Sequence, residues 1–493
     1  MNSHTISPHW VAVGTGYERP FGDSEAAFYP ASKAGLGDMF LHLSFRAPVN
    51  ILLEERVSIA WAVIRRRHPL LMCEVKYNEA IGTPFFSFTP PLSVAESLEA
   101  SKTTISFNHR SKSDLIHDYM NGPRVLSDEH LCHLVLSTAI PTAAAPPGHA
   151  EYDLFMCAPH FLGDGTSLHL ATHDLLEILA STSTDDQLKY ELNLDVNWIM
   201  ALPPAYEARI DVPKAALARA VSKVDFAKSL DREIGGHTLP RQQHGPQKTV
   251  VQETAFSEAE TSEILRKCKA NNVTVNHVIV ALCNIAWARN VSDASLMRNP
   301  LMMYTAVTLR PYLSVISATS TYWFVALTYF NIVLPAFLPE NEKVFWHRAR
   351  MVKSQIRQMV QSPFLRSRAL EMGKIRVARS RGQTTHLPSF SDIVKGTEVT
   401  TQSLPPAPSA ALLGLSLIGN LDATYIRSSY PSFHLHTVTT ASRQKAGGIL
   451  LLEHTFANKL WLHLCWDENG FQPGLIQRFW STLHDVVREF LLQ

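Results

Sequence analysis

Apolar segments with strand-like character alternate with segments of helical periodicity along most of the chain, and this alternation limits the possible folds. Residues 38–46 and 152–158 are short, strongly apolar runs typical of buried strands. Residues 50–67 instead place apolar side chains three or four positions apart, as one buried face of a helix requires, and a second helical pattern begins at Thr166. This interleaving predicts an α/β or α+β fold built on mixed sheets.

A polar segment rich in glycine and proline, GGHTLPRQQHGPQ at 235–247, is the best linker candidate. It predicts two lobes, an N-terminal lobe at 1–234 and a C-terminal lobe at 248–493. The chain has 493 residues, of which 46% are hydrophobic, and its length alone predicts about two to three domains. Each lobe therefore has enough apolar material for its own core.

The second lobe shows two local signatures of regular structure. Ser257 followed by Glu260 forms a capping box, which predicts that a helix starts there. Residues 450–456 and 459–466 both have a strand-like pattern, and only Ala457-Asn458 separates them. This arrangement predicts a hairpin.

Two polar segments are expected to lie outside the packed cores. The first 35 residues are polar and contain glycine and proline, so we expect them to wrap the surface. Residues 376–408 are also polar, and we expect them to be mobile.

The charge balance argues against a nucleic-acid partner. The chain has 45 Lys and Arg residues against 44 Asp and Glu residues, a net charge of +1, whereas tight phosphate binding needs a clustered basic excess.

The longest apolar stretches, such as 321–338, are interrupted before they reach the roughly 18 to 20 apolar residues of a membrane span. The N-terminus lacks a signal-peptide pattern, so we expect a cytoplasmic protein.

The cysteines favour the same compartment. They are widely scattered, most of them lie in apolar patterns typical of core strands or helices, and no CxxC spacing occurs. We therefore expect reduced thiols in the core, not disulfides or metal ligands. The six are Cys73, Cys132, Cys157, Cys268, Cys283 and Cys465.

The most informative motif is HFLGDG, which runs from His160 to Gly165 directly after a strand and directly before a helix. A junction of this kind can present a polar side chain to a cleft. His160 can act there as a general base near neutral pH, Asp164 can fold back to stabilise the loop, and Gly165 leaves space beside the imidazole. The alternative is a core or capping histidine followed by an Asp-Gly turn.

Two other catalytic patterns are weaker. His169 and His173 lie four residues apart on the helix after the motif, and with His160 they are a candidate zinc site. No glutamate lies between them as HExxH requires, and the surrounding helix face is rich in leucine. Gly414-Leu-Ser416 lacks the second glycine of a serine-hydrolase elbow, since Ile418 occupies that position.

The motif and its context resemble the superfamily of CoA-dependent acyltransferases that includes chloramphenicol acetyltransferase, condensation domains and the plant BAHD enzymes. Further segments resemble that superfamily in the same order: AWAVIRRRHPLLMCEV, LRKCKANNVTVNHVIVALCNIAW, VTLRPYL, SLIGNLD and HTFANKLWLHLCWD. The resemblance covers roughly residues 36 to 490. Within the superfamily the chain is most similar to fungal secondary-metabolite O-acyltransferases of the trichothecene 15-O-acetyltransferase type, and the plant DFGWG motif is absent.

The resemblance implies two chloramphenicol-acetyltransferase-like lobes with an active-site channel at their interface. His160 would lie mid-channel and take the proton of an acceptor hydroxyl, with no acyl-enzyme. Asp164 would point away from the substrate and pair with Arg310, so that Asp164, Gly165 and Arg310 support the motif.

Three further residues, Ser416, Asn420 and Asp422, are candidates for the channel wall or for contacts with the oxyanion. The alternative for this segment is a turn after a strand, stabilised by an Asx cap.

The sequence thus predicts an O-acyltransferase, most simply an O-acetyltransferase, acting on a hydroxyl of a hydrophobic secondary metabolite. It needs no bound cofactor, because acyl-CoA enters as the co-substrate. One alternative is a condensation-type transferase whose donor is a carrier-protein thioester. The others are a metal-dependent hydrolase built on His160, His169 and His173, and a non-catalytic relative of the fold. A monomer would suffice, because both lobes share one site.

Overall fold

The computed structural model describes residues 9–79, 82–138, 146–230, 238–291, 294–314, 321–338, 341–382 and 411–492. Strands and helices interleave throughout this part of the chain. The described strands are β1 (Val11–Val13), β2 (Gly16–Pro20), β3 (Met39–Pro48), β4 (Glu74–Asn78), β5 (Thr83–Phe88), β6 (Ile105–Asn108), β7 (His133–Thr138), β8 (His149–Ala158), β9 (Thr249–Ala255), β10 (Leu301–Thr308), β11 (Leu327–Leu334), β12 (Gly414–Asn420), β13 (His434–Ser442), β14 (Ile449–Phe456) and β15 (Lys459–Asp467).

The helices cover the sheets and connect their strands. They are α1 (Asp23–Lys33), α2 (Glu54–Arg67), α3 (Val94–Lys102), α4 (Lys112–Asn121), α5 (Gly165–Ala180), α6 (Asp185–Leu192), α7 (Trp198–Ala201), α8 (Ala216–Leu230), α9 (Glu258–Ala270), α10 (Val275–Asn290), α11 (Glu342–Val360), α12 (Leu365–Ser380) and α13 (Leu475–Val487).

Two larger sheets organise the fold, and both mix parallel with antiparallel pairs. The first has the order β13-β3-β8-β7-β6, and the second has the order β11-β10-β12-β14-β15-β9. A four-stranded sheet, β1-β2-β5-β4, shares a buried apolar cluster with the first. Separate buried apolar clusters surround Trp61 in the first half and Trp287 in the second half. The predicted α/β class with mixed sheets is confirmed.

One strand crosses the predicted boundary between the lobes. Strand β13 pairs antiparallel with β3, from His434 opposite Arg46 to Ser442 opposite Met39. A strand from the second half therefore completes the sheet of the first half. The division into 1–234, 235–247 and 248–493 stays a prediction, and residues 231–237 lie outside the described part.

The structure contains the capping box and the hairpin turn that short-range sequence signals predict. Ser257 and Glu260 form the predicted capping box of α9. Ala457 and Asn458 both have positive φ, 57° and 58°, which suits a two-residue turn between right-twisted strands. The apolar run at 70–72 forms a 3₁₀ turn and not a strand, because Pro69 favours the start of a helical turn, and β4 starts only at Glu74.

Two expectations for polar segments are wrong in part. The first 35 residues do not only wrap the surface, because they include β1, β2 and the packed helix α1. Residues 376–380 are the last turn of α12, whose buried side includes Leu365, Ala369 and Ile375 at helical spacing. The remaining residues of that predicted mobile segment, from 383 onward, lie outside the described part.

All six cysteines are buried as free thiols in the core, as the sequence predicts. Within the described residues, no helix combines the length and the apolar composition that a membrane crossing requires.

Candidate active site

The loop that carries His160 connects β8 to α5, and Asp164 fixes its far end. Asp164 is the N-cap of α5: its Oδ1 accepts a hydrogen bond from the Ser167 backbone N–H at 3.2 Å. This contact satisfies one of the free N–H groups at the start of the helix. The strand before the loop and the capped helix after it are both buried, so His160 is held on rigid supports.

One backbone contact sets the tautomer of His160. Its Nδ1 lies 3.1 Å from the carbonyl oxygen of Gly163. A carbonyl oxygen can only accept, so Nδ1 must carry the hydrogen, and Nε2 of the neutral ring is left with its lone pair. Burial lowers the pKa of His160 below its usual value, and the positive charge of Arg376 adds to this effect, although Asp164 and the backbone contacts oppose it. The ring is therefore a neutral base at neutral pH.

A stack of aromatic and cationic groups lies against the imidazole. Phe28 packs parallel to the His160 ring, with centroids 4.3 Å apart and an angle of 7° between the planes. The Arg376 guanidinium carbon lies 4.4 Å from the Phe28 ring centroid and 4.4 Å from that of Tyr329. Cation–π contacts thus hold Arg376 between two rings. Among the described residues, no carboxylate forms an ion pair with Arg376.

The sequence reasoning missed Phe28, Tyr329 and Arg376. They come from three distant segments, and the packing of α1 against α12 brings Phe28 and Arg376 together. The helices approach closely at Gly373, where an added Cβ would lie 3.3 Å from the Cβ of Asp23. The only sign of this contact in the sequence is Gly373, three residues before Arg376 on the same helix face. It does not show which element packs against α12.

Replacing Arg376 by glutamine should raise the pKa of His160 toward its ordinary value, because it removes a positive charge that disfavours the imidazolium. NMR titration of the histidine ring in protein with labelled histidine measures this directly. Lys374→Gln on the exposed side of the same helix is the control. An unchanged His160 pKa in Arg376→Gln would contradict the electrostatic role.

The buried carboxylate of Asp164 is paired with Arg310, as the resemblance implies. Arg310 Nη2 donates to Asp164 Oδ1 at 2.9 Å, and Asp164 Oδ2 accepts from the Ala326 backbone N–H at 3.2 Å. Arg310 also donates to the carbonyl oxygens of Tyr322 and Phe324, at 2.9 and 2.8 Å. Asp164 thus ties the loop to the segment before β11. It does not orient the imidazole, because Gly163 takes that hydrogen bond.

The two glycines of the motif have different surroundings. A Cβ added at Gly165 would meet nothing within 4 Å. A Cβ added at Gly163 would lie 3.0 Å from Ser167 Oγ and 3.3 Å from Trp323 Nε1. Gly163, which the sequence reasoning did not single out, is therefore the position that cannot take a side chain.

Gly163→Ala should destabilise the protein by about 1–3 kcal/mol, the usual cost of overpacking a tight site. Gly165→Ala should change the free energy of unfolding by less than about 0.5 kcal/mol, because the first helical position tolerates alanine and the space is open. Urea unfolding of both variants checks this difference. Equal effects would contradict the assignment of the tight contact to Gly163.

The three candidate residues in β12 and in the turn after it have separate surroundings. Asp422 accepts from the backbone N–H groups of Ala457 and Asn458, at 2.9 and 3.1 Å, and so stabilises the hairpin turn. This contact favours the turn alternative for Asp422. Asn420 is exposed and accepts a hydrogen bond from a neighbouring threonine, and Ser416 is half-buried in β12. Among the described residues, no hydrogen bond links any of the three to His160.

The proposed zinc ligands are not brought together. His169 Nδ1 contacts the Tyr425 hydroxyl at 3.0 Å. Among the described residues, the one group of potential metal ligands within 4.8 Å is His173, Asp174 and Glu177, which excludes both His160 and His169. The geometry therefore contradicts a site built on His160, His169 and His173.

No family model matches the chain. A curated relative, trichothecene O-acetyltransferase TRI3 of Trichoderma arundinaceum, is 21% identical over 305 residues, which are 55% of this chain and 57% of that protein. The match thus spans somewhat more than half of the relative's length.

Solved structures match over nearly the whole chain. TRI3 trichothecene 15-O-acetyltransferase from Fusarium sporotrichioides superposes with a TM-score of 0.78 at 14% identity, over 99% of this chain and 100% of that one. The condensation domain of the monacolin K polyketide synthase MokA superposes with a TM-score of 0.60 at 11% identity, over 98% of each chain. The chain therefore has the fold that TRI3 and condensation domains share, with two chloramphenicol-acetyltransferase-like lobes.

Proposed function

We propose that the protein is an O-acyltransferase that moves an acyl group, most simply acetyl, from acyl-CoA to a hydroxyl of a hydrophobic secondary metabolite. The observation that carries the proposal is the contact between His160 Nδ1 and the Gly163 carbonyl, which leaves Nε2 as an acceptor. The TRI3 relatives, whose names specify O-acetyl transfer, support the reaction class and the kind of acceptor.

The reaction follows from one base acting on two bound substrates. Nε2 of His160 takes the acceptor's hydroxyl proton while that oxygen attacks the thioester carbonyl carbon. The tetrahedral oxyanion collapses, the C–S bond breaks, and the thiolate recovers the proton from Nε2. The enzyme returns to its starting state with no acyl-enzyme and no bound cofactor, and holding both substrates together supplies the main advantage in rate.

The environment of His160 suits this role. Its lowered pKa keeps the base unprotonated at neutral pH, and Phe28 fixes the ring plane by stacking. The Asp164–Arg310 pair holds the loop from behind without taking part in proton transfer.

The donor has one alternative. Condensation domains share the fold, and their thioester substrates are carried by proteins. A carrier-protein thioester is therefore the second candidate donor, and the catalytic step at His160 would be unchanged.

The test is calorimetric titration of the purified protein with acetyl-CoA, which needs no knowledge of the acceptor. Saturable binding at one site per chain, in the micromolar to sub-millimolar range, is the expected result, and an acceptor screen with thiol release as readout then follows. If acetyl-CoA and longer acyl-CoAs all fail to bind, the CoA donor is wrong and the carrier-protein donor takes its place.

A further inference from the structure

Helix α5 carries a group of side chains that the proposed reaction does not use. His173, Asp174 and Glu177 each offer one potential metal-ligand atom, and these three atoms lie within 4.8 Å of one another. His173 Nε2 lies 3.5 Å from Oε1 of Glu177, one helical turn later. Two ligands of a tetrahedral zinc ion are about 3.4 Å apart, since each lies about 2.1 Å from the metal. The spacing of this pair therefore suits a shared ion.

A fourth potential ligand reaches the group from another element. His68 follows α2 directly, and its Nε2 lies 4.0 Å from Asp174 Oδ2. The His68 side chain is only 4% exposed, and among the described residues its Nε2 has no hydrogen-bond partner. A buried ring nitrogen without a partner costs free energy, and an ion held by Asp174 would satisfy it. His68 lies outside the 4.8 Å group, so the Asp174 carboxylate would turn toward it as the ion binds.

The other nitrogen of each histidine already has a hydroxyl partner. His173 Nδ1 lies 3.2 Å from the Tyr430 hydroxyl, and His68 Nδ1 lies 2.9 Å from the Thr321 hydroxyl. A hydroxyl oxygen can accept from Nδ1–H, which leaves the lone pair of Nε2 free on each ring. Metal-binding histidines usually make an outer contact of this kind, because it fixes the ring and its tautomer.

The charge of the group favours a divalent cation. Asp174 and Glu177 bring two carboxylates, and among the described residues no lysine or arginine forms an ion pair with either. The pKa of Arg67 is raised by its hydrogen bonds to Glu191 and, to a smaller extent, by the charge of Asp174. Both oxygens of Glu191 hold the Arg67 guanidinium, at 2.7 and 2.9 Å, so Arg67 competes only weakly for Asp174.

The ligand types and their exposure point to one class of ion. The side chain of His173 is buried, whereas those of Asp174 and Glu177 are 26% and 42% exposed, so an ion can enter from solvent. The Tyr322 hydroxyl donates to Asp174 Oδ2 at 2.6 Å, which orients the carboxylate and leaves its other lone pairs free. Imidazole nitrogens together with carboxylate oxygens suit zinc and its first-row neighbours, whereas magnesium and calcium prefer oxygen ligands.

The group lies away from the reacting atoms. His173 is nine residues after Asp164, the N-cap of α5, which is about 14 Å along the helix axis. An ion there would join the middle of α5 to the end of α2 through His68. It would also act through Tyr430 and Tyr322 on segments from the second half of the chain. Its effect would therefore be on the stability of the fold and not on the chemical step.

We propose that His173, Asp174 and Glu177 bind a structural divalent transition-metal ion, zinc or a close neighbour of zinc, with His68 as the fourth ligand. The proposal does not rest on the proposed function. It also differs from the zinc site considered from the sequence, since the two groups share only His173.

The test measures zinc binding by the full chain. The protein is first treated with a chelator and then titrated with zinc in competition with a chromogenic chelator. We expect one competing site per chain and a higher unfolding midpoint with zinc than without it, because a ligand that binds the folded state stabilises that state. Asp174→Asn and Glu177→Gln should each abolish the site. Their matched controls, Asp186→Asn and Glu258→Gln, change exposed carboxylates outside the group and should bind zinc as the wild type does.

Further variants separate the ligands from their outer contacts. His173→Gln should abolish binding, whereas His117→Gln, at an exposed histidine of α4, should not change it. Tyr430→Phe removes only the hydroxyl beside His173 Nδ1 and should weaken binding about 10- to 100-fold, the usual effect of losing an outer partner. His68→Gln should weaken binding at least as much. If the buried His173→Gln variant does not fold, the half-exposed Glu177 position keeps the test decisive.

The possible results distinguish this site from others on the surface. A wild type that binds no zinc in competition with the chelator would overturn the proposal. Equal binding by the wild type, Asp174→Asn and Glu177→Gln would also overturn it, because the zinc would then lie elsewhere. Unchanged affinity in His68→Gln would exclude His68 as the fourth ligand. Turnover of His160→Ala tests the proposed function separately, so either conclusion can fail while the other stands.

Discussion

Replacing His160 by alanine should lower turnover by about a hundred- to ten-thousand-fold, the usual effect of removing a general base. The substitution leaves the acceptor hydroxyl without a group to take its proton, while the β8 strand and the Asp164 cap keep the surrounding loop in place. Donor binding should change far less, because His160 acts by transferring a proton during the reaction and not by holding the donor. The measurement is steady-state thiol release in the presence of a saturating acceptor.

A second histidine provides the matched control. His133 in β7 is half-buried and contacts Ser106, with no described contact to the site. His133→Ala should retain turnover near the wild-type level, and both variants should have similar unfolding midpoints. Near-wild-type turnover in His160→Ala would exclude the mechanism, whatever the donor.

The sequence predicts those parts of the fold and site that local signals determine. The helix cap at Ser257, the turn at Ala457-Asn458 and the loop from His160 to Gly165 each depend on a few neighbouring residues, so their chemistry can be read along the chain. Asp164 and Arg310 are 146 residues apart in the sequence. Only the resemblance to known acyltransferases predicted that they pair.

The parts that the sequence did not predict depend on tertiary packing. Phe28 lies in a segment that composition alone assigns to the surface, and Arg376 lies in one that is polar enough to be taken for a mobile loop. Both reach the site because α1 packs against α12, a contact between segments more than 300 residues apart. Likewise, β11 lies at the edge of the six-stranded sheet because of the strand order, and the residue pattern of a single strand does not encode that order.

Arg310→Met should destabilise the protein by about 3–5 kcal/mol, because it leaves the buried carboxylate of Asp164 without its cation. Asp164 is 1% exposed, and its contact with the Ala326 N–H cannot replace a full positive charge. Asp164→Asn should also be destabilising, since Arg310 would then face a neutral amide. The free energy of unfolding from urea denaturation measures each effect.

The double variant Asp164→Asn/Arg310→Met distinguishes a true pair from two independent losses. If the two side chains stabilise the loop through each other, the double variant should be less destabilised than the two single effects together, with a coupling of about 0.5–3 kcal/mol. Lys189→Gln, which breaks an exposed ion pair with Glu55, is the control and should leave the midpoint unchanged. Because Asp164 does not contact the imidazole, Asp164→Asn should lose activity in parallel with stability. An Asp164→Asn variant that stays fully stable and active would contradict the role of the pair in holding the catalytic loop.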